Sequence, residues 1–107
     1  MEAYIQVVTT TENKDDAKKI AKALVDKRLA ACVQLLGPIV STYWWKDDVE
    51  TAQEWLCHIK THKSLYHETE KAIKAIHPYE TPEIIAMPIV AGSADYLAWL
   101  SRELRKE

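Results

Sequence analysis

Phenylalanine is absent from this 107-residue chain, and glycine and cysteine occur only twice each. Two glycines, Gly37 and Gly92, cannot build the loop through which backbone amides close around a phosphate, and neither a P-loop nor a dinucleotide fingerprint is present. No serine or cysteine stands in a nucleophile-elbow or papain-like context, so the chain reads as a non-enzyme. It also has no Lys/Arg-Gly-aromatic strand motif, which removes the stacking platform that RNA-recognition domains need. Neither charge sign dominates: 14 Lys plus Arg face 16 Asp plus Glu, a formal charge of -2, so no general field draws the chain to nucleic acid or anionic lipid. No apolar run approaches the roughly 18 to 20 residues that span a bilayer. The opening "MEAYIQVVTT" lacks the basic start and apolar stretch of a secretory signal, and the expectation is a cytoplasmic protein without membrane contact. In that reducing compartment Cys32 and Cys57, outside any CxxC pair, read most simply as small buried thiols.

What is present suits one domain over residues 1–107, with no linker or repeat. "AYIQVVTT" (3–10) is β-branched and apolar, the pattern of a buried strand. Asn13, followed by Asp16, can cap a first helix whose inner positions are Ala17, Ile20, Ala21, Leu24 and Val25 and which ends near Arg28. Ser64 can cap a second helix with Leu65, Thr69, Ala72, Ile73 and Ile76 inside, stopped at His77 by Pro78. Pro82 pushes Thr81 into an extended conformation, "EIIAMPIV" forms a fourth strand, and Pro88 marks an edge or a strand end. Ser93 caps a last helix with Tyr96, Leu97, Leu100 and Leu104 as its inner stripe. The order β-α-β-β-α-β-α, with right-handed crossovers, predicts an α+β ferredoxin-like sandwich with an antiparallel sheet backed by helices on one face.

The segment between the first two helices is the unusual one. Residues 30–46 and 49–62 are rich in β-formers around the turn residues "KDD", which predicts one long hairpin, bulged at Gly37 and Pro38. Fourteen strand residues span roughly 45 Å, against a radius of gyration of only about 13 Å for a domain of this size. The hairpin should therefore protrude. Tyr43 and Trp45 point to one face, Trp44 to the other, and Trp55 follows on the returning strand, so rings occupy both faces near the tip. Left in water such an arm would aggregate, and a symmetric oligomer whose subunits cover one another's hairpins is the economical answer. The alternative is cover by a helix of the same chain, although helices rising about 1.5 Å per residue look too short to reach.

"HPYETPEI" (77–84) is the best site candidate. Two prolines explain a stiff connector, but not His77, Tyr79 and Glu83 as well. Metal binding is a natural question, because His58, His62, His67 and His77 join the two cysteines and many carboxylates. His58 and His62 stand about 13 Å apart on a strand, too far for one ion, and neither HExxH nor CxxC occurs; a site completed between subunits stays open.

"LAACVQLLGPIVSTYWWKDDVE", "IKT", "HPYETPEI" and "DYLAWL" together resemble, in order and spacing, the CutA family of divalent-cation tolerance proteins. The resemblance implies a cytoplasmic homotrimer built through long hairpins and sheet edges, with a PII-like architecture. It also implies possible binding of copper or other divalent metals, with no obligatory cofactor. The implied copper ligands are a cysteine ending the first strand and two histidines before the proline; the matching positions here are Thr9, Ile76 and His77, so His77 alone carries a ligand. Cys32, in the "AAC" motif, is the second metal candidate. The other reading is a signalling or scaffold module binding a small anion or a protein in clefts between subunits. There Lys60 would be the cation, Tyr79 an aromatic wall and Glu83 a carboxylate partner, unless Lys60 and Glu83 form a structural ion pair across the interface.

Overall fold

Alternating apolar residues at the start of the chain and in the returning arm of the hairpin build the centre of a four-stranded sheet. The protein is described here by a computed structural model covering residues 3–106. The elements are β1 (Tyr4–Thr11), α1 (Lys14–Asp26), β2 (Cys32–Trp45), β3 (Asp48–His62), a 3-10 turn (Lys63–Leu65), α2 (Tyr66–Ile76), β4 (Ile84–Ile89) and α3 (Ala94–Glu103). The strands run in the order β2-β3-β1-β4, each pair antiparallel. This is the expected ferredoxin-like sandwich.

One face of the sheet carries Val7, Thr9, Cys57 and Ile59, with Val7 opposite Ile59 and Thr9 opposite Cys57. Ala17, Ile20 and Leu24 of α1 and Ile73 of α2 pack there, all at 1% exposure or less. Asn13 caps α1 by accepting the Asp16 N–H, and Ser93 caps α3 by accepting the Tyr96 N–H. Ser64 does not cap α2: it lies inside the 3-10 turn, and Leu65 precedes the helix without a side-chain cap. Tyr4, His62 and Cys32 have the opposite pleat parity, yet they meet α3. Ser101 Oγ lies 2.8 Å from the Tyr4 hydroxyl and 3.0 Å from His62 Nε2, and Tyr96 shares a side-chain hydrogen bond with Cys32. The helices therefore do not all lie on one face, contrary to the expectation: the last one closes that end of the sheet from the other side, while Leu100 and Leu104 reach the core.

Three inner-stripe expectations need correction. Val25, Ile76 and Tyr96 are exposed rather than buried, at 42%, 46% and 42%, Val25 lying in the last turn of α1. Ile76 sits in the final turn of its helix, and Tyr96 in the first turn of its own, where its ring meets Trp99 at 5.6 Å instead of entering the core.

The hairpin turns on Lys46 and Asp47, both with positive φ (48° and 69°), the backbone of a tight turn whose twist matches the strands it joins. Along the arm the register shifts between Leu36 and Ile39. Trp55 explains the glycine at the shift: a Cβ added at Gly37 would stand 2.6 Å from Cδ2 of that ring, so only glycine lets the two strands pass here. Trp55 is therefore not a tip residue; it packs against the core beside the bulge, with the Lys14 ammonium 5.2 Å from its ring. The molecule measures 44 × 25 × 21 Å, and its long axis is the length expected of the hairpin. Among the described residues no helix covers the arm's outer part: Val40, Trp44 and Val49 are 69%, 74% and 57% exposed.

Burial pushes the Cys57 thiol up to about 11. A folded state that holds the proton more tightly than the unfolded chain loses stability as pH rises between the unfolded and folded values. The loss over pH 9 to 11 should be about 2 to 3 kcal/mol from this group. Urea titrations across that range should show it, with a flatter slope for Cys57→Ala; an equal slope would assign the loss to other groups.

Candidate functional site

Pro78 ends α2 by holding His77 extended, at φ -74° and ψ 131°. The imidazole turns inward to 9% exposure and ties three pieces of chain together. Its Nδ1 accepts the Tyr79 N–H at 3.1 Å, which leaves the proton on Nε2, and Nε2 donates to the Thr10 carbonyl at 2.7 Å. Both ring nitrogens are thereby engaged, and a metal ion could take either only by breaking a buried hydrogen bond. Thr9, the position matching the implied cysteine ligand, is buried on the helix-packed face with its hydroxyl unpartnered, whereas Ile76 points to solvent. The three positions do not converge into a copper site.

Tyr79 follows on the same loop, and its ring lies 4.8 Å from that of His77. Its hydroxyl donates to Glu54 Oε2 at 2.7 Å. Burial first, then the bond to Glu54 and that carboxylate's charge, push the phenol well above its usual range. Glu54 is only 6% exposed although it is a strand carboxylate, because the Tyr79 loop lies over it. Sequence reasoning missed Glu54. The signal available was a charged residue between Gln53 and Trp55 in a strand of mixed polarity, which is weak without knowing the register.

Between this loop and the curled end of the hairpin lies a cleft of about 650 Å³. Tyr43, Trp44, Trp45 and Tyr79 supply its rings, and Glu54, Glu80 and Glu83 its carboxylates. Five of the expected site residues, Tyr43, Trp44, Trp45, Tyr79 and Glu83, are thus brought together within one chain. Lys60 and Cys32 are not. Those two face each other across the β2–β3 ladder near its other end, where Lys60 Nζ donates to Gln34 Oε1 at 2.7 Å. Six residues along β3 separate Lys60 from Glu54, roughly 20 Å at strand rise. Lys60 of the same chain therefore does not supply a cation to this cleft, whose lining carries carboxylates. Cys32 is half-buried and Cys57 buried; both are free thiols. Among the described residues no three His, Cys, Asp or Glu side chains converge to hold a metal ion.

Strand order, crossovers and the protruding arm define a ferredoxin-like α+β protein with an extended hairpin. Within that class the chain belongs to the CutA1 family, described as divalent ion tolerance proteins, which matches residues 5–103. It is 43% identical over 94 residues to the divalent-cation tolerance protein CutA of Thermus thermophilus, covering 88% of this chain and 91% of that one. It is 41% identical to chloroplastic CutA 1 of rice over 95% of this chain and 45% identical to human CutA over 85%. It spans 58% of the rice protein's length and 51% of the human protein's. The crystal structure of rice CutA1 superposes with a TM-score of 0.95 at 40% identity, covering 98% of this chain and 96% of that one. The Thermus thermophilus structure gives 0.90 at 40% identity, covering 98% and 100%.

Proposed function

We propose that this chain is a non-enzymatic divalent-cation tolerance protein that works as a cytoplasmic homotrimer and takes up copper or a related divalent ion at sites completed between its copies. Membership of the divalent ion tolerance family over residues 5–103 carries the reading. The bare hairpin tip, with Trp44 at 74% exposure, favours assembly, and two free thiols accord with a reducing compartment. Because His77 is fully engaged and no ligand trio converges among the described residues of one copy, an ion held tightly needs donors from a second copy. Cys32, half-buried on the sheet face, is the soft donor best placed to take part.

Calorimetric titration of Cu(II) and Zn(II) into the unsubstituted chain and into a variant that cannot assemble tests this. Saturable uptake by the oligomer, weaker at acid pH because the ligands must shed protons, should disappear on dissociation. Equal uptake by the monomer would remove the shared site. Growth of a metal-sensitive host with and without the chain tests tolerance separately from chelation.

A further inference from the structure

The cleft under the hairpin tip has a chemistry that the metal reading does not use. Its volume of about 650 Å³ is that of a small-molecule site. Rings reach it from two directions, from the hairpin through Tyr43 and Trp45 and from the loop through Tyr79. The bond from Tyr79 to the buried Glu54 fixes one of those rings before any ligand arrives. Glu80 and Glu83 are exposed carboxylates on the rim, and no lysine, arginine or histidine is among the lining residues. A hydrated divalent ion gains little from ring faces, and an anion would meet the lining carboxylates, offset only where Lys46 rests on Trp45. An alkylated ammonium suits both halves of the lining, because its spread charge is attracted to ring faces and its carbon groups to the same surfaces. The chain itself makes such a contact: Lys46 Nζ rests 5.5 Å from the centre of the Trp45 ring.

We propose that this cleft binds a small organic cation, a primary or quaternary ammonium compound, between the aromatic faces of Tyr43, Trp45 and Tyr79 and the carboxylates of Glu80 and Glu83. Lys46 competes for one face of Trp45 and so sets a ceiling on affinity. The proposal stands apart from metal tolerance, since neither His77 nor Cys32 takes part.

The test is calorimetry of the full chain in its native assembly with tetramethylammonium chloride, against sodium chloride at equal ionic strength and against neopentyl alcohol as a neutral compound of similar shape. Tetramethylammonium should bind saturably in the millimolar range, at least about fivefold tighter than the alcohol. Glu80→Gln and Glu83→Gln, which keep shape and remove charge, should each weaken binding about two- to fivefold, and Lys46→Ala should tighten it about twofold. Equal affinity for the alcohol would reduce the cleft to an apolar groove. Binding indifferent to both glutamate variants would place the cation elsewhere, and no saturable binding would overturn the proposal. Copper titration of the same glutamate variants keeps the two readings apart, because loss of ammonium binding with metal uptake unchanged affects only this one.

Discussion

Replacing Trp44 by Asp should leave a folded chain that light scattering reports at its monomer mass of 12.3 kDa, or that precipitates, whereas the proposed trimer of the unsubstituted chain should scatter at about three times that mass. The reasoning starts from exposure. Trp44 is 74% exposed and lies beyond the reach of the core, with Val40 and Val49 bare on the same arm, so changing it removes no contact that holds the domain together. On the proposed trimer the same ring is covered by a neighbour. Truncating a central interface tryptophan typically costs about 2 to 4 kcal/mol, and a closed ring of three incurs it at each of three contacts. An unpaired carboxylate left in the contact adds its own desolvation cost. Trp44→Phe keeps a ring in place and should keep the trimer. A stable trimer from the aspartate variant would show that the arm is not the assembly element.

The second large effect lies at His77. His77→Ala should lower the unfolding free energy by about 2 to 4 kcal/mol, because it strands two buried partners at once. The Thr10 carbonyl loses its donor, the Tyr79 N–H loses its acceptor, and the ring contact with Tyr79 goes as well. His77→Gln, able to donate and accept, should recover part of the loss. Urea denaturation with matched m-values measures both. Copper uptake should be the same in His77→Ala as in the unsubstituted chain; a selective loss of copper binding with stability intact would restore His77 as a ligand and overturn its role as a fastening for the loop.

His77 also shows what could be read from the chain and what could not. Pro78 and Pro82 made the loop's boundaries legible because proline acts on its own neighbours, and the Asn13 and Ser93 caps were legible for the same local reason. Whether His77 points out toward an ion or in toward Thr10 depends on a strand 67 residues away, and no local pattern encodes that. Ser64 failed as a cap because a 3-10 turn intervenes, and hydroxyl-bearing residues suit either arrangement. Helical spacing identified a face for Ile76 and Tyr96, but not where the neighbouring surface ends. The gathering of Tyr43, Trp45, Tyr79 and Glu83 in one cleft, with Lys60 left out, follows from how the arm curls over the loop, which composition does not show. The hairpin's length was legible because counting residues measures it directly.

Gly37 and Trp55 constrain how this sequence can change. A side chain at position 37 would run into the indole, so its own mutants should be lost while Trp55 stands. If Trp55 first shrinks, position 37 opens. Two sites eighteen places apart therefore form a history-dependent pair, in which the order of substitution decides whether a change at 37 is tolerated, and a library that varies them one at a time would record position 37 as immutable.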